Sequence, residues 1–459
     1  MSGKKNFLKK RGKKMRLSTT QIIAIVFAGL ILMGALLLTL PIASRSGRSC
    51  GFFPALFTAT SATCVTGLSL FDTWTQWSGF GQTVILFLIE LGGLGFMSAA
   101  TIVIFLLRRK VGLKQRMVMA QAMSVNDMQG IVRLQKIVIF GSLAVQAVGT
   151  LLLLARFWPE FGFVRGVKWS VFHAVSAFCN AGFDIFGVLE PGKSVMLFND
   201  DPVVLIVLML LVTIGGLGFV VWQELATVRS FKNFSVYTKL VLIATGVIIL
   251  LGAGLTLLLE WDNPNTLGPM PVWQKILNAF FQTVTLRTAG FASIDQGALT
   301  EATKSVSMVI MLIGGSSGST AGGLKTVTFV VLVLFIWSKA RGRSSVSVFK
   351  RTIPQAKALD ATTIFLVMTC LAFFGGFFIA ATSPVAVSFT DGLYEAVSAM
   401  ATVGLTTGIT PVMGVAAQAL IIAFMYFGRV GILTISLGFL IGDKAEDRFR
   451  YADTDLLIG

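Results

Sequence analysis

The stretch Ser61-Ala-Thr-Cys-Val-Thr-Gly67-Leu68 lies between two strongly apolar runs and ends in a glycine turn. The same arrangement recurs three times along the chain, as Ser176-Ala-Phe-Cys-Asn-Ala-Gly182-Phe183, Val284-Thr-Leu-Arg-Thr-Ala-Gly290-Phe291 and Ser398-Ala-Met-Ala-Thr-Val-Gly404-Leu405. The four glycines follow one another at intervals of 115, 108 and 114 positions. Self-similarity at so long a period indicates four copies of one structural unit.

Each glycine stretch is flanked by two long apolar runs. The eight runs cover residues near 20–40, 79–107, 137–155, 203–222, 240–259, 305–337, 362–382 and 415–441. A helix needs about 20 apolar residues to cross a bilayer, so we predict eight transmembrane helices. The segment before each glycine, such as Pro54–Cys64, has about half that length. It can enter the membrane and return only where its irregular backbone faces protein or water.

The predicted fold is therefore an all-α membrane protein with four span–pore loop–span repeats around a pseudo-fourfold central pore. Residues 1–19 form a basic cytoplasmic N-terminus and 443–459 a cytoplasmic tail. The four units cover 20–107, 108–228, 229–340 and 341–442. Their pore loops lie near 54–69, 169–184, 275–292 and 391–406.

Composition supports a membrane protein and excludes several other classes. Of 459 residues, 55% are hydrophobic and 13% charged, and the mean hydropathy is +0.82. The net charge of +17 does not indicate nucleic acid, because the basic residues lie between the apolar runs. They alternate with acidic gaps, which places both termini in the cytoplasm by the positive-inside rule. One histidine and four scattered cysteines predict neither a transition-metal site nor a disulfide framework.

The glycine turns have the chemistry of a cation filter. A dehydrated cation needs oxygen ligands in place of its water shell, and rings of backbone carbonyls supply them. Glycine permits the dihedrals that aim carbonyls at an axis, and the preceding helix directs its negative end at the ion. We predict that a transported cation binds to the carbonyls of Val65, Thr66, Gly67, Asn180, Ala181, Gly182, Thr288, Ala289, Gly290, Thr402, Val403 and Gly404.

Two further features suggest a gate beneath this filter. The first is a polar and glycine-rich break inside the sixth apolar run, made of Gly314, Gly315, Ser316, Ser317, Gly318, Ser319, Thr320, Ala321, Gly322 and Gly323. It cannot hold a stable helix, although a packing kink is the simpler alternative. The second is Arg429, an ionisable residue in mid-span, which is functional by default unless it pairs with Glu90. The similar motifs Gly92–Phe96 and Gly215–Phe219 are interpreted as close helix packing.

With these motifs the chain resembles the superfamily of potassium transporters that includes the bacterial Trk and Ktr systems and the plant and fungal HKT and Trk proteins. The resemblance rests on the four glycine-ended pore loops, the 314–323 run followed by Leu-Lys325-Thr, and Arg429 in the last span. Trk-type pores usually carry two additional N-terminal spans. The present chain begins its first unit near Thr20 and so looks like the shorter KtrB-type pore subunit.

The resemblance implies potassium uptake across a bacterial plasma membrane, with no enzymatic activity. It also implies a homodimer with one pore per subunit and a cytoplasmic KtrA-type ring that binds the regulatory nucleotide. Family members with serine at the first glycine position tend to pass sodium, so Gly67 places this chain on the potassium side. From the residues alone, a coupled solute or sodium transporter stays open as the alternative, and a membrane enzyme finds no matching cluster of acids, histidine or nucleophile.

Overall fold

The computed structural model of the chain describes residues 19–95, 131–343 and 345–431. The predicted basic N-terminus, apart from residue 19, lies outside the described residues. So do residues 96–130, with the basic loop 108–116, and the predicted C-terminal tail. The regular secondary structure of the described part is almost entirely helical.

The first predicted unit contains a span, a pore helix and the beginning of a second span. Helix α1 (Thr19–Thr39) is followed by the pore helix α2 (Phe52–Cys64), a single turn α3 (Thr73–Gln76) and α4 (Gly79–Gly93). The side chain of Ser78 caps α4 by accepting from the amide of Gly81 (3.3 Å).

The second predicted unit has a broken final span. Helix α5 (Ile131–Phe161) leads directly into the pore helix α6 (Phe163–Phe178). Helix α7 (Pro202–Leu217) then continues as α8 (Phe219–Thr227) after a bend of 95°.

The third predicted unit is interrupted in its second half. Helix α9 (Val236–Glu260) precedes the pore helix α10 (Val272–Leu286). The sixth apolar run forms two helices, α11 (Glu301–Leu312) and α12 (Thr326–Ala340), on either side of the glycine-rich run.

The fourth predicted unit begins with a short hairpin of β1 (Val346–Val348) and β2 (Arg351–Ile353), paired antiparallel with Val346 opposite Ile353. Three helices follow. They are α13 (Gln355–Thr382), the pore helix α14 (Phe389–Met400) and α15 (Val415–Val430).

The helix contacts follow a cyclic order. The second span of each unit packs against its own pore helix and against the pore helix of the next unit, in the pairs α4 with α6, α7 with α10 and α11 with α14. Helix α15 of the last unit packs against α2 of the first. The four pore helices are thus enclosed by the longer helices.

The outer surface has the character of a lipid-facing one. In the described residues, four helices (α1, α5, α9 and α13) are long and apolar enough to cross a membrane, and α7 with α8 counts as a fifth if the bent pair is one span. Large apolar side chains on these helices are exposed, among them Phe140 (67%), Leu258 (75%) and Phe377 (71%). Their exposure is favourable in lipid and unfavourable in water.

Candidate functional site

The backbone after each pore helix adopts an unusual conformation. Val65, Asn180, Thr288 and Thr402 occupy the first position after the pore helix or one residue later, and all four have positive φ, between 53° and 68°. Two residues further on, the four glycines also have positive φ (101°, 68°, 81° and 92°). Side chains disfavour this region, so its recurrence in all four loops shows that the surrounding structure imposes one backbone shape.

The four glycines lie side by side in one ring. A Cβ added to Gly67 would lie 2.6 Å from the carbonyl oxygen of Ala181, and one added to Gly182 would lie 2.7 Å from that of Ala289. A Cβ added to Gly290 would lie 2.6 Å from the carbonyl oxygen of Val403, and one added to Gly404 would collide with the carbonyl oxygen of Thr66. Each glycine therefore abuts the carbonyl that precedes the glycine of the next loop, and the ring closes on itself without room for side chains.

Hydroxyl groups behind the ring hold the loops in shape. Ser61 accepts from the amide of Gly67 (3.0 Å) and Ser398 from that of Gly404 (3.1 Å). In the other two loops the hydroxyl donates instead, from Ser176 to the carbonyl of Phe183 and from Thr285 to that of Phe291, both at 2.7 Å. These bonds occupy backbone groups on the outside of each turn.

A cavity of about 410 Å³ opens onto the ring, and all four glycines line it. Its wall carries Asp72, Asp184 and Asp295 beside one cation, Lys193. Burial, together with the charge of Asp72, raises the pKa of the Asp184 carboxyl to about 6. The cavity is therefore acidic at neutral pH and attracts cations to the ring.

The glycine-rich run lies against the pore-helix side of the ring. The hydroxyl of Thr320 donates to the carbonyl of Phe178 (3.1 Å) and lies 3.2 Å from the side-chain amide of Asn180. On the other side, Gly322 lies so close to the Thr402 side chain that an added Cβ would collide with it. The run thus contacts the first residue of the second and of the fourth loop, which lie across the ring from each other.

Arg429 binds carbonyl oxygens in two units. Its guanidinium donates to the carbonyl of Thr320 in the glycine-rich run, and to those of Gly92 (2.5 Å) and Gly93 (3.1 Å) at the end of α4. The alternative pairing with Glu90 is not observed. The carboxylate of Glu90 instead accepts from the Gln146 amide (3.0 Å) and the Cys179 thiol (3.3 Å).

The small-residue motifs of the first two units pack closely, as interpreted. An added Cβ at Gly92 would collide with the carbonyl of Thr63, and one at Gly215 with that of Phe178. The packing interpretation was incomplete, however, because the helices also stop there. Helix α7 ends at Leu217, and Gly218 turns the chain at a φ of 96°. Gly95 and Gly431, at the matching positions, have φ of 79° and 95°.

Sequence reasoning missed the groups around the ring. The serines Ser61, Ser176 and Ser398 each lie six positions before a glycine, a signal that was readable in the aligned stretches. The aspartates of the cavity gave no such signal, and neither did the contact of the Thr320 hydroxyl with the second pore loop. They come from loops of different length, and their meeting depends on the fold.

Comparison with known proteins identifies the class. The sequence profile of the TrkH family, described as cation transport proteins, matches residues 1–449. The chain therefore belongs to the TrkH family, which is a family of transporters and not of enzymes. This membership confirms the resemblance drawn from the pore loops.

Individual relatives span nearly the whole chain. It is 38% identical over 98% of its length to the potassium/sodium uptake protein NtpJ of Enterococcus hirae, of which it covers 99%. It is 37% identical to the Ktr system potassium uptake protein B of Bacillus subtilis, over 97% of this chain and 98% of that one. The crystal structure of the potassium transporter TrkH from Vibrio parahaemolyticus shares the fold, with a TM-score of 0.72 at 18% identity, covering 94% of this chain and 87% of that chain.

Proposed function

We propose that this chain is the ion-conducting subunit of a potassium uptake system. The single observation that carries the proposal is the closed ring of four glycines, each against the carbonyl of the next loop. Two relatives that align with this chain over nearly their whole length are named as potassium uptake proteins. The coupled solute transporter is less favoured, because it does not require four equivalent pore loops.

The proposed architecture has eight spans in four units around a pseudo-fourfold pore, with both termini in the cytoplasm. The cyclic order of the helix contacts supports the four units. Three shorter apolar helices, α4, α12 and α15, lie in the predicted apolar runs in addition to the long helices. The segments on the proposed cytoplasmic side contain Arg229, Lys232, Lys239, Arg341 and Arg343, as the positive-inside rule requires.

Selection would take place at the glycine ring. The carbonyls of residues 65–67, 180–182, 288–290 and 402–404 would replace the water shell of potassium as it leaves the acidic cavity. The first position of the second loop is Asn180, where the others have valine or threonine. The ring is thus less regular than four identical loops would make, and sodium, which the name of the Enterococcus relative includes, is the competing ion to test.

Closure would depend on the glycine-rich run 314–323, termed the gate loop below. Its contacts with Asn180 and Thr402 support a position across the ion path, beneath the filter. Arg429, bound to the carbonyl of Thr320, would hold the gate loop in place and repel passing cations.

We also propose the assembly that the resemblance implies. Two chains would form a homodimer with one pore each, and a cytoplasmic KtrA-type ring would bind the regulatory nucleotide. The name of the Bacillus subtilis relative, a protein of a Ktr system, supports a partner of this kind. The nucleotide would act only through that partner.

Flux measurements in liposomes test the proposed function. The purified chain is reconstituted, and potassium and sodium are varied independently on the two sides. We expect potassium flux that exceeds sodium flux, together with growth of an uptake-deficient host at low potassium. Sodium-driven movement of an organic solute without potassium flux would contradict the proposal and favour the coupled transporter.

A further inference from the structure

The bend between α7 and α8 forms a structural elbow at one end of the gate loop. We use the term elbow for residues 218–238, which run from Gly218 through α8 to the start of α9. The indole of Trp222 donates to the carbonyl of Ile214 (2.9 Å) and so ties α8 back to α7 across the 95° bend. The elbow carries Arg229 and Lys232, which assigns it to the cytoplasmic side of the proposed topology.

The elbow holds two consecutive carbonyls of the gate loop. The phenol of Tyr237 donates to the carbonyl of Ser317 (3.0 Å), and the amide of Phe219 donates to that of Gly318 (2.8 Å). Gly218 permits this approach, since an added Cβ would lie 2.9 Å from the Ser317 oxygen. The neighbouring gate-loop amides of Ser316 and Thr320 instead donate to carbonyls of α7 itself.

A carboxylate keeps the elbow folded. Glu224 on α8 accepts from the amide and the hydroxyl of Ser235 (2.5 and 2.7 Å) and from the hydroxyl of Thr238. These donors are the N-cap residue of α9 and a residue of its first turn, on either side of Tyr237. The position of the phenol is therefore fixed relative to α8, and any movement of α8 against α9 would change the bond to Ser317.

We propose that Tyr237 is a positioning residue that latches the gate loop in its closed position, and that the elbow carries movements of the cytoplasmic side to the gate. The inference rests on the proposed role of the gate loop. The middle of this loop has two kinds of attachment. The bonds to α7 join it to the wall of the pore, whereas the bonds to Tyr237 and Phe219 join it to a segment at the membrane surface, where a partner can act.

The test removes one hydroxyl. Tyr237→Phe is compared with wild type as the full chain in liposomes. Because one hydrogen bond of the closed state is lost, we expect potassium flux to rise about three- to tenfold, with an unchanged potassium-to-sodium ratio. Tyr426→Phe is the matched control. It also removes a tyrosine bond to a backbone carbonyl, that of Ala24 (2.7 Å), but outside the gate loop, and we expect it to leave flux unchanged.

Two further variants keep the outcomes separate. Glu224→Gln loosens the elbow without touching the gate loop and should raise flux in the same direction. In a chain lacking residues 317–319, Tyr237→Phe should add nothing. If that deletion raises flux while Tyr237→Phe does not, the latch is wrong and the gate stands. If the deletion itself has no effect, the gate assignment fails. Equal increases in Tyr237→Phe and Tyr426→Phe, or a loss of flux in folded Tyr237→Phe, would also overturn the latch.

Discussion

The glycines of the pore loops are required for two separate reasons. Each has a positive φ, and each faces a carbonyl that an added Cβ would approach to 2.7 Å or less. The positive φ alone would admit asparagine, since Asn180, two positions before Gly182, also has a positive φ. The second admits no side chain, because a displaced carbonyl would change the ring that the ion is proposed to enter.

We therefore predict that Gly67→Ser weakens potassium selectivity more than it weakens folding. The new side chain would push against the carbonyl of Ala181 and narrow the ring on one side. The sodium-to-potassium permeability ratio should rise several-fold, measured by reversal potentials or liposome flux. Gly254→Ser is the matched control, since an added Cβ at Gly254 meets nothing within 4 Å. An unchanged ratio in well-expressed Gly67→Ser would remove Gly67 from the filter.

A second prediction at this scale concerns the acidic cavity. The pKa of Asp184 is raised to about 6 by burial and by Asp72, so this carboxyl is charged at pH 7 and becomes neutral as the pH falls below about 6. Loss of its charge reduces the local cation concentration at the ring. The apparent KM for potassium uptake should then rise a few-fold between about pH 7 and about pH 5.

Asp184→Asn should have the high KM at both pH values and a flat profile across this window. Asp200→Asn, an exposed acid outside the cavity lining, serves as control and should keep the wild-type profile. If Asp184→Asn retains the wild-type pH dependence, another group is responsible for it.

At the scale of elements, the sequence predicted where the chain breaks in the third unit but not in the others. Five glycines and three serines between residues 314 and 323 exclude a helix there, so the interruption between α11 and α12 was readable. In the second unit the motif Gly215–Phe219 has the composition of a tight helix contact. Its bend depends on the amide of Phe219 finding the carbonyl of Gly318, a contact from another unit. The residues around Gly218 do not indicate a hydrogen-bond acceptor that lies so far away in the sequence.

We predict that removal of residues 317–319 raises potassium flux and leaves selectivity nearly unchanged. The amide of Gly314 donates to the carbonyl of Leu324, and the amide of Thr326 donates to that of Gly315. Both hydrogen bonds lie outside the deletion and would keep the ends of the gate loop in place. In the proposed function this loop closes the path by its position and not by tight coordination, so opening it would require only a few kcal/mol. The rise should be seen in liposomes as faster potassium efflux at a constant permeability ratio.

Arg429→Ala should also increase flux, with a smaller effect in the deleted chain because both changes act on one barrier. The hydrogen bond from Arg429 to the carbonyl of Thr320 is the contact that joins this arginine to the gate loop. If the deletion abolishes flux in a folded protein, the segment is a required ion path or scaffold and not a gate.

At the scale of the whole molecule, four pore loops whose glycines span 337 positions of sequence meet in one ring because the helices pack in cyclic order. The repeat in the sequence predicted the number of loops and their glycines. It could not predict that Val65 and Thr402 would adopt left-handed backbone, since β-branched residues avoid that region. Only the mutual contact of four loops makes this conformation stable. The units differ at Asn180 and at the gate loop, and these two features contact each other through Thr320.

The last prediction concerns the partner. We expect it to dock on the basic loops 108–116 and 341–351, of which the second, apart from residue 344, lies among the described residues. There Arg341, Arg343, Lys350 and Arg351 are exposed around the β hairpin, more basic charge than topology needs. The ring centroid of Phe349, at the hairpin tip, lies 5.8 Å from the ammonium of Lys239. Lys239 follows Tyr237 by two positions in the sequence. We propose that a partner bound to the hairpin acts through this contact on the segment that bonds to the gate loop.

Charge reversal of both basic loops should abolish regulation by the native partner while the chain alone still assembles and conducts. Binding should also weaken with salt, since exposed charges are screened beyond about 8 Å at physiological ionic strength. Arg48→Glu, an exposed basic residue of the outer loop before α2, is the control and should leave regulation intact. The two measurements are partner binding by co-purification and nucleotide-dependent flux in liposomes. If regulation persists after reversal of both loops, the partner docks elsewhere. Partner binding is then not transmitted from the hairpin through Lys239 to the gate loop.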